Sequence, residues 1–142
     1  MQRARGWGMA AGVIPAVAIA ASALADNWPN WRGPALDGAA SGSGYVSEWG
    51  PEQHVLWKVP LPGHGASTPA VWGDRLVVTC TIEGQDAVLC LDRTGKELWR
   101  TTLGEARPGK HKKATGANSS PVTDGERVWV YFKSCLLYTS PS

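Results

Sequence analysis

The residues Ser67-Thr68-Pro69-Ala70-Val71-Trp72-Gly73-Asp74-Arg75-Leu76-Val77-Val78 return, in pattern, as Ser119-Ser120-Pro121-Val122-Thr123-Asp124-Gly125-Glu126-Arg127-Val128-Trp129-Val130. Both copies begin with Ser-Ser/Thr-Pro, pass through a turn of glycine and an acid, and reach Arg followed by an apolar run. A second match sets Leu56-Trp57-Lys58 and Leu61 against Leu98-Trp99-Arg100 and Leu103. The offsets are about fifty and about forty residues, and the difference lies in a Gly- and Lys-rich loop, 105–117. A repeat of this length built from short strands is the mark of a propeller blade, a small sheet that cannot bury its own faces.

Working outward, the sequence predicts strands at Val55–Val59, Ala70–Trp72, Arg75–Ile82, Ala87–Leu91 and Glu97–Leu103, with turns at Gly73-Asp74, 83–86 and 92–96. Leu76-Val77-Val78 and Val88-Leu89-Cys90-Leu91 do not alternate apolar with polar residues, so both faces of these strands are covered. No helical pattern lies between the strands, so other sheets are expected to supply the cover. The segment 26–50 is a Trp-, Gly- and Pro-rich arm of no regular period, in which Trp28, Trp31 and Trp49 are expected to dock onto the sheets.

Composition narrows the class. The 142 residues are 43% hydrophobic and 18% charged, enough for a core, while 17 Gly and 10 Pro interrupt the chain too often for a helical bundle. Lys and Arg number 14 against 12 Asp and Glu, and Arg3 and Arg5 supply the excess. Without residues 1–25 the chain is neutral, which removes the electrostatic drive onto nucleic acid. Those 25 residues read as a cleavable signal peptide: two arginines, an apolar stretch broken by Gly12 and Pro15, and Ala23-Leu24-Ala25 before Asp26. The expectation is an exported, periplasmic or extracellular protein, soluble and with no stable membrane span after cleavage.

Asp92-Arg93-Thr94-Gly95-Lys96-Glu97-Leu98-Trp99 resembles the signature of pyrrolo-quinoline-quinone (PQQ)-like propeller repeats. Gly95 permits the tight turn, Asp92 can bond the turn amides, and Trp99 can lay its indole across the gap to the next blade. Pro69 and Pro121, in their Ser-Ser/Thr-Pro settings, resemble the start of that family's innermost strand, and Gly125 repeats the turn glycine Gly73 of the first copy. Trp28-Pro29-Asn30-Trp31-Arg32-Gly33-Pro34 resembles the N-terminal segment of exported members. The resemblance spans roughly residues 27–133 and implies an all-β fold, a partial propeller of about two four-stranded antiparallel blades, the second incomplete.

A blade takes about 40–50 residues and a closed ring needs at least about four blades. Residues 51–134 hold about two, so the chain reads as part of a longer protein whose remaining blades are its first partners. Residues 135–142 abandon the repeat where a third strand is due and read as a non-native tail, like a translated sequencing adaptor.

Candidate chemistry is sparse. Cys80 and Cys90 flank a turn, and in one hairpin register they face each other, which makes a disulfide conceivable in an exported protein. His54, His64 and His111 have no second ligand at metal spacing, so no metal site is expected. His64, in Gly63-His64-Gly65, leads into the inner strand and could face a channel. Lys110-His111-Lys112-Lys113 reads as a solvated loop, with anion or partner binding as its alternative. Asn118-Ser119-Ser120 fits the glycosylation triplet but is better explained by the repeat. No catalytic or cofactor-binding residue can be named. The resemblance implies a binding or scaffold module for a protein or small-molecule ligand, as in outer-membrane assembly propellers. Its alternative is a PQQ- and calcium-dependent alcohol or sugar dehydrogenase, whose cofactor would need the complete protein.

Overall fold

A computed structural model describes residues 27–109, 111, 114–134 and 137–141. The signal-peptide expectation for 1–25, the lysines at 110, 112 and 113, and Cys135 lie outside the described residues. No helix occurs among the described residues, and none is therefore long and apolar enough to cross a membrane.

Four strands form the first sheet: β1 (Ala70–Trp72), β2 (Arg75–Ile82), β3 (Gln85–Asp92) and β4 (Glu97–Glu105), antiparallel in the order β1-β2-β3-β4. β5 (Val122–Thr123), β6 (Arg127–Tyr131) and β7 (Leu137–Pro141) form a second sheet in the order β5-β6-β7. The repeat is thus literal: β1-β2 and β5-β6 are the same hairpin in two copies.

Turn chemistry sets the registers. Ile82 pairs with Gln85, so the β2–β3 turn is only two residues, Glu83 and Gly84, with φ of 49° and 79°. Two left-handed residues in succession match the twist of the flanking strands, which lets β3 begin two residues earlier than its β-branched run suggests. At the β3–β4 turn the Asp92 carboxylate accepts from the Thr94 amide (2.8 Å), the Lys96 amide (3.0 Å) and the Thr94 hydroxyl (2.6 Å).

The two sheets share one core. Val77, Val88 and Cys90 of the first sheet cluster with Val128 and Val130 of the second and with Ala117 and Phe132, and Trp99, Leu103 and Tyr138 pack on this cluster. The opposite face of the first sheet carries a separate cluster, Val78, Cys80, Ala87 and Leu89, with Ile82 beside it. Strand alternation divides the residues this way, and burial on both faces accounts for the unbroken apolar runs.

Three expectations change. Val55–Val59 is not a strand. Its repeat-mate in β4 has β3 to pair with, whereas among the described residues no strand stands beside 55–59. Second, a sheet covers only one face of the first sheet. Near the other face the chain is irregular: Trp57 and Val59 sit on the Asp92–Lys96 turn and Gly63 on Thr81. Third, the tail 137–141 pairs with β6, Val130 opposite Tyr138 and Tyr131 opposite Leu137, where the sequence predicted a break. An open strand edge offers backbone donors and acceptors that a short segment rich in Leu, Tyr and Thr can satisfy.

The arm docks in part. Trp28 exchanges two 2.8 Å backbone hydrogen bonds with Val71, and Pro29 O accepts from the Thr123 amide at 2.9 Å, so the arm joins the innermost strands of both sheets. The Trp28 ring lies over Gly33, where a Cβ would meet it at 2.7 Å. Trp31 and Trp49 remain exposed, 66% and 74%, because Pro29 and the glycine-rich loop turn the arm away from the sheets.

Candidate functional site

The seam between the sheets is where the repeated motif residues converge. On the inner side, the Ser120 hydroxyl accepts from the Thr68 amide at 2.9 Å, and the Thr79 hydroxyl donates to Ser119 O at 3.0 Å. Ser67 Oγ accepts from the Thr79 amide at 3.0 Å. The Ser-Ser/Thr-Pro motifs therefore bond the two repeats to each other, with the Ser67 and Ser120 hydroxyls and the Ser119 carbonyl engaged in structural bonds. Pro69 is exposed, whereas Pro121 is fully buried.

On the outer side, Trp99 packs on the shared core. It lines a cleft of about 390 Å³ with Trp72, Asp74, Arg75, Thr123 and Gly125. Gly125 (φ 92°) lies directly under Trp72, whose Nε1 would be 2.3 Å from an added Cβ. Gly95 (φ 84°) makes the equivalent close approach to Val59 and Trp57. Glycine is needed at both positions twice over, for the left-handed backbone and for the ring packed on it.

The acidic motif residues are likewise occupied. The hydrogen bond from the Thr94 hydroxyl, with help from the turn amides, holds the Asp92 carboxyl below its ordinary pKa. The Arg127 amide does the same for Asp124, which also accepts from the Glu126 amide. Arg93 bridges two turns, reaching Asp74 at 2.8 Å and Gly73 O at 2.9 Å. Carboxylates held in this way order turns.

Cys80 and Cys90 are buried free thiols on opposite faces of the first sheet. Cys80 stands opposite Ala87 and Cys90 opposite Val77, so the register does not bring the sulfurs together. Burial pushes both thiols up from their usual pKa. His64 O accepts from the Thr81 amide at 2.7 Å, and the flanking glycines allow this approach: a Cβ on Gly63 would stand 1.9 Å from Thr81 O. The glycine-flanked histidine thus marks a close backbone crossing. The exposed His64 side chain lines a shallow cleft of about 550 Å³ with Thr81, Arg107 and His111. Asn118 is engaged as well, its Oδ1 accepting from Thr115 N and Oγ1.

One link across the seam escaped the sequence reading. Asp86, fully buried in β3, accepts from the Ser134 hydroxyl at 2.6 Å, while its other oxygen has no partner among the described residues. An acid that heads the apolar run 87–91 and is itself fully buried was the available signal.

No three His, Cys, Asp or Glu side chains come together among the described residues. With Asp92 and Asp124 bound to turn amides, these residues offer no donor set suited to calcium, which takes six to eight oxygen ligands. No reaction step follows from the geometry. What it presents is a rigid seam, bonded on its inner side and packed with tryptophan on its outer side.

No curated protein and no solved structure matches the chain significantly. A family model does, over residues 42–134: the PQQ_2 family, described as outer membrane protein assembly factor BamB. That span takes in the first sheet, the seam, β5 and β6. With two stacked antiparallel sheets in repeat, and most of its length matched, the chain belongs to this family of PQQ-like β-propeller repeat proteins.

Proposed function

We propose that the chain is part of an exported β-propeller that acts as a binding or scaffold module, its further blades lying in a longer protein. The observation that carries this reading is the use made of the motif residues. Asp92, Asp124, Ser119, Ser120, Thr79 and Trp99 are all engaged in ordering turns or joining sheets. A scaffold needs this rigidity, and its ligand contacts fall on loops and exposed faces. The family description, an assembly factor, favours the same class. Export is supported by the leader-like residues 1–25.

The competing reading is a quinone-dependent dehydrogenase, and the test separates the two. The complete protein is purified, PQQ and Ca²⁺ are added, and quinone absorbance and dye-linked alcohol oxidation are followed. The scaffold reading expects neither; turnover with retained quinone would replace it by the oxidoreductase. Cell fractionation tests export separately: the product should start at Asp26 outside the cytoplasm, and retention of residues 1–25 inside it would contradict export.

A further inference from the structure

Two buried side-chain oxygens have no hydrogen-bond partner among the described residues, Thr81 Oγ1 and Asp86 Oδ1. They are neighbours. Thr81 in β2 stands directly opposite Asp86 in β3. Val77 of β2 and Val88 of β3 belong to the shared core, and strand alternation from them turns Thr81 and Asp86 to the same face, toward the second sheet. Asp86 is fully buried, and the bond its Oδ2 accepts from the Ser134 hydroxyl leaves Oδ1 open. Buried polar atoms are normally satisfied, so a carboxylate oxygen and a hydroxyl left open side by side point to a group that arrives from outside.

The pair lies beside a way in. Thr81 lines the cleft of about 550 Å³ described above, together with Arg107 and Gly116. Gly116 passes over the carboxylate: a Cβ there would stand 3.5 Å from Asp86 Oδ1 and 2.6 Å from Arg107 O. Gly116 has no positive φ, so it is space rather than backbone conformation that a side chain would violate. Oxygens of a carboxylate, a hydroxyl and a carbonyl thus gather where the cleft meets the seam. Arg107 is exposed and forms no ion pair with Asp86. His64, Glu83 and His111 also line the cleft.

We propose that this cleft binds a protonated primary amine, whose ammonium group donates to Asp86 Oδ1 and Thr81 Oγ1. The inference rests on the binding-module reading above and deepens it by naming a ligand class. The open atoms are acceptors, and a charged donor gives a buried carboxylate its strongest hydrogen bond. Ser134 holds Oδ2, so a guanidinium fork has no second carboxylate oxygen to match, whereas an ammonium head spreads its three donors over separate oxygens. One open carboxylate oxygen and one hydroxyl fall far short of the six to eight oxygens calcium takes. The amine has two sources, a small free amine or a lysine side chain of a protein partner.

The test titrates the complete, isotope-labelled protein with n-butylammonium chloride at constant ionic strength and follows the amides of Thr81, Asp86, Gly116 and Ser134. Tetramethylammonium chloride carries the same charge without N–H donors. Saturable shifts are expected with butylammonium alone. Asp86→Asn should weaken binding at least about tenfold, and Thr81→Val should weaken it several-fold while leaving the free protein at least as stable, since it removes an unpaired buried hydroxyl. The second variant carries the test if the first does not fold. Nα-acetyl-lysine-N-methylamide separates the sources: binding equal to butylammonium supports a partner's lysine, and binding of butylammonium alone supports a small amine. Equal shifts with tetramethylammonium, or unchanged binding in both variants, would overturn the site. So would a crystal structure with butylammonium in which water or the Arg107 guanidinium sits on Asp86 Oδ1. Folded protein that ignores every amine overturns this inference and leaves the scaffold reading standing, because quinone-dependent turnover, which decides that reading, is measured separately.

Discussion

Pro69 and Pro121 hold the same place in two copies of one motif, yet Pro69 is exposed and Pro121 is fully buried. The difference is the neighbour. Pro121 follows Ser119 and Ser120, which bond Thr79 and Thr68 of the preceding sheet. Among the described residues no preceding sheet lies beside Pro69. Equal sequence with unequal burial is the expected signature of units that become dry only by stacking.

Trp99 is the largest side chain reaching the shared core from the outer edge. Trp99→Ala should destabilise the chain by about 2–3 kcal/mol in chemical denaturation, since truncating a part-buried aromatic loses transfer energy and leaves a cavity. Trp31→Ala, at a site 66% exposed, should change stability by less than about 0.5 kcal/mol. Equal effects at the two tryptophans would contradict the assignment of the core.

Gly125→Ala places a methyl group 2.3 Å from Trp72 Nε1 on a backbone with φ of 92°. The cost should exceed about 1 kcal/mol, through strain and displacement of the ring. Gly38 also has positive φ (81°) but meets nothing within 4 Å, so Gly38→Ala should cost less. Thermal melts of the two variants give the comparison.

Acid should weaken the turns. Asp92 and Asp124 are held below their ordinary pKa by hydrogen bonds to the charged carboxylate, from the Thr94 hydroxyl first and from the Arg127 amide first, respectively. Their folded values lie below their unfolded ones, so this stabilisation is present above the unfolded value of about 3.9 and is lost as pH falls through the folded values. Melting temperature should therefore drop below about pH 4. Asp92→Asn should flatten that drop, while Asp92→Ala should also lower the melting temperature at pH 7. An unchanged acid profile in Asp92→Asn would exclude the carboxylate as a contributor.

Cys80 and Cys90 should remain unreactive in the native chain. Burial raises both thiol pKa values, which lowers the thiolate fraction at neutral pH, and the sheet lies between the two sulfurs. A thiol reagent should label both only after denaturation. A disulfide between them in peptide mapping would contradict the β2–β3 register.

The repeat was legible because its signals are local. Gly95 and Gly125 mark turns, Asp92 and Asp124 supply turn acceptors, and the runs at 76–78 and 88–91 declare two covered faces. What failed to show was everything that depends on which neighbour is present. Val55–Val59 has strand composition but no partner strand among the described residues, and composition carries no information about partners. Cys80 and Cys90 could be aligned only by knowing that Glu83-Gly84 forms a two-residue turn. Trp28 docks while Trp31 does not, a matter of where Pro29 and Gly33 steer the arm. Asp86 and Ser134 meet across the seam from positions 48 residues apart, with no repeat to link them.

The central claim is that the two sheets are adjacent blades with one core between them. Methyl NOEs in selectively labelled protein test it most directly. The account predicts cross-peaks from Val77 and Val88 to Val128 and Val130, together with ring contacts from Trp99. Strong NOEs within each sheet, with none between those two pairs of valines, would contradict it.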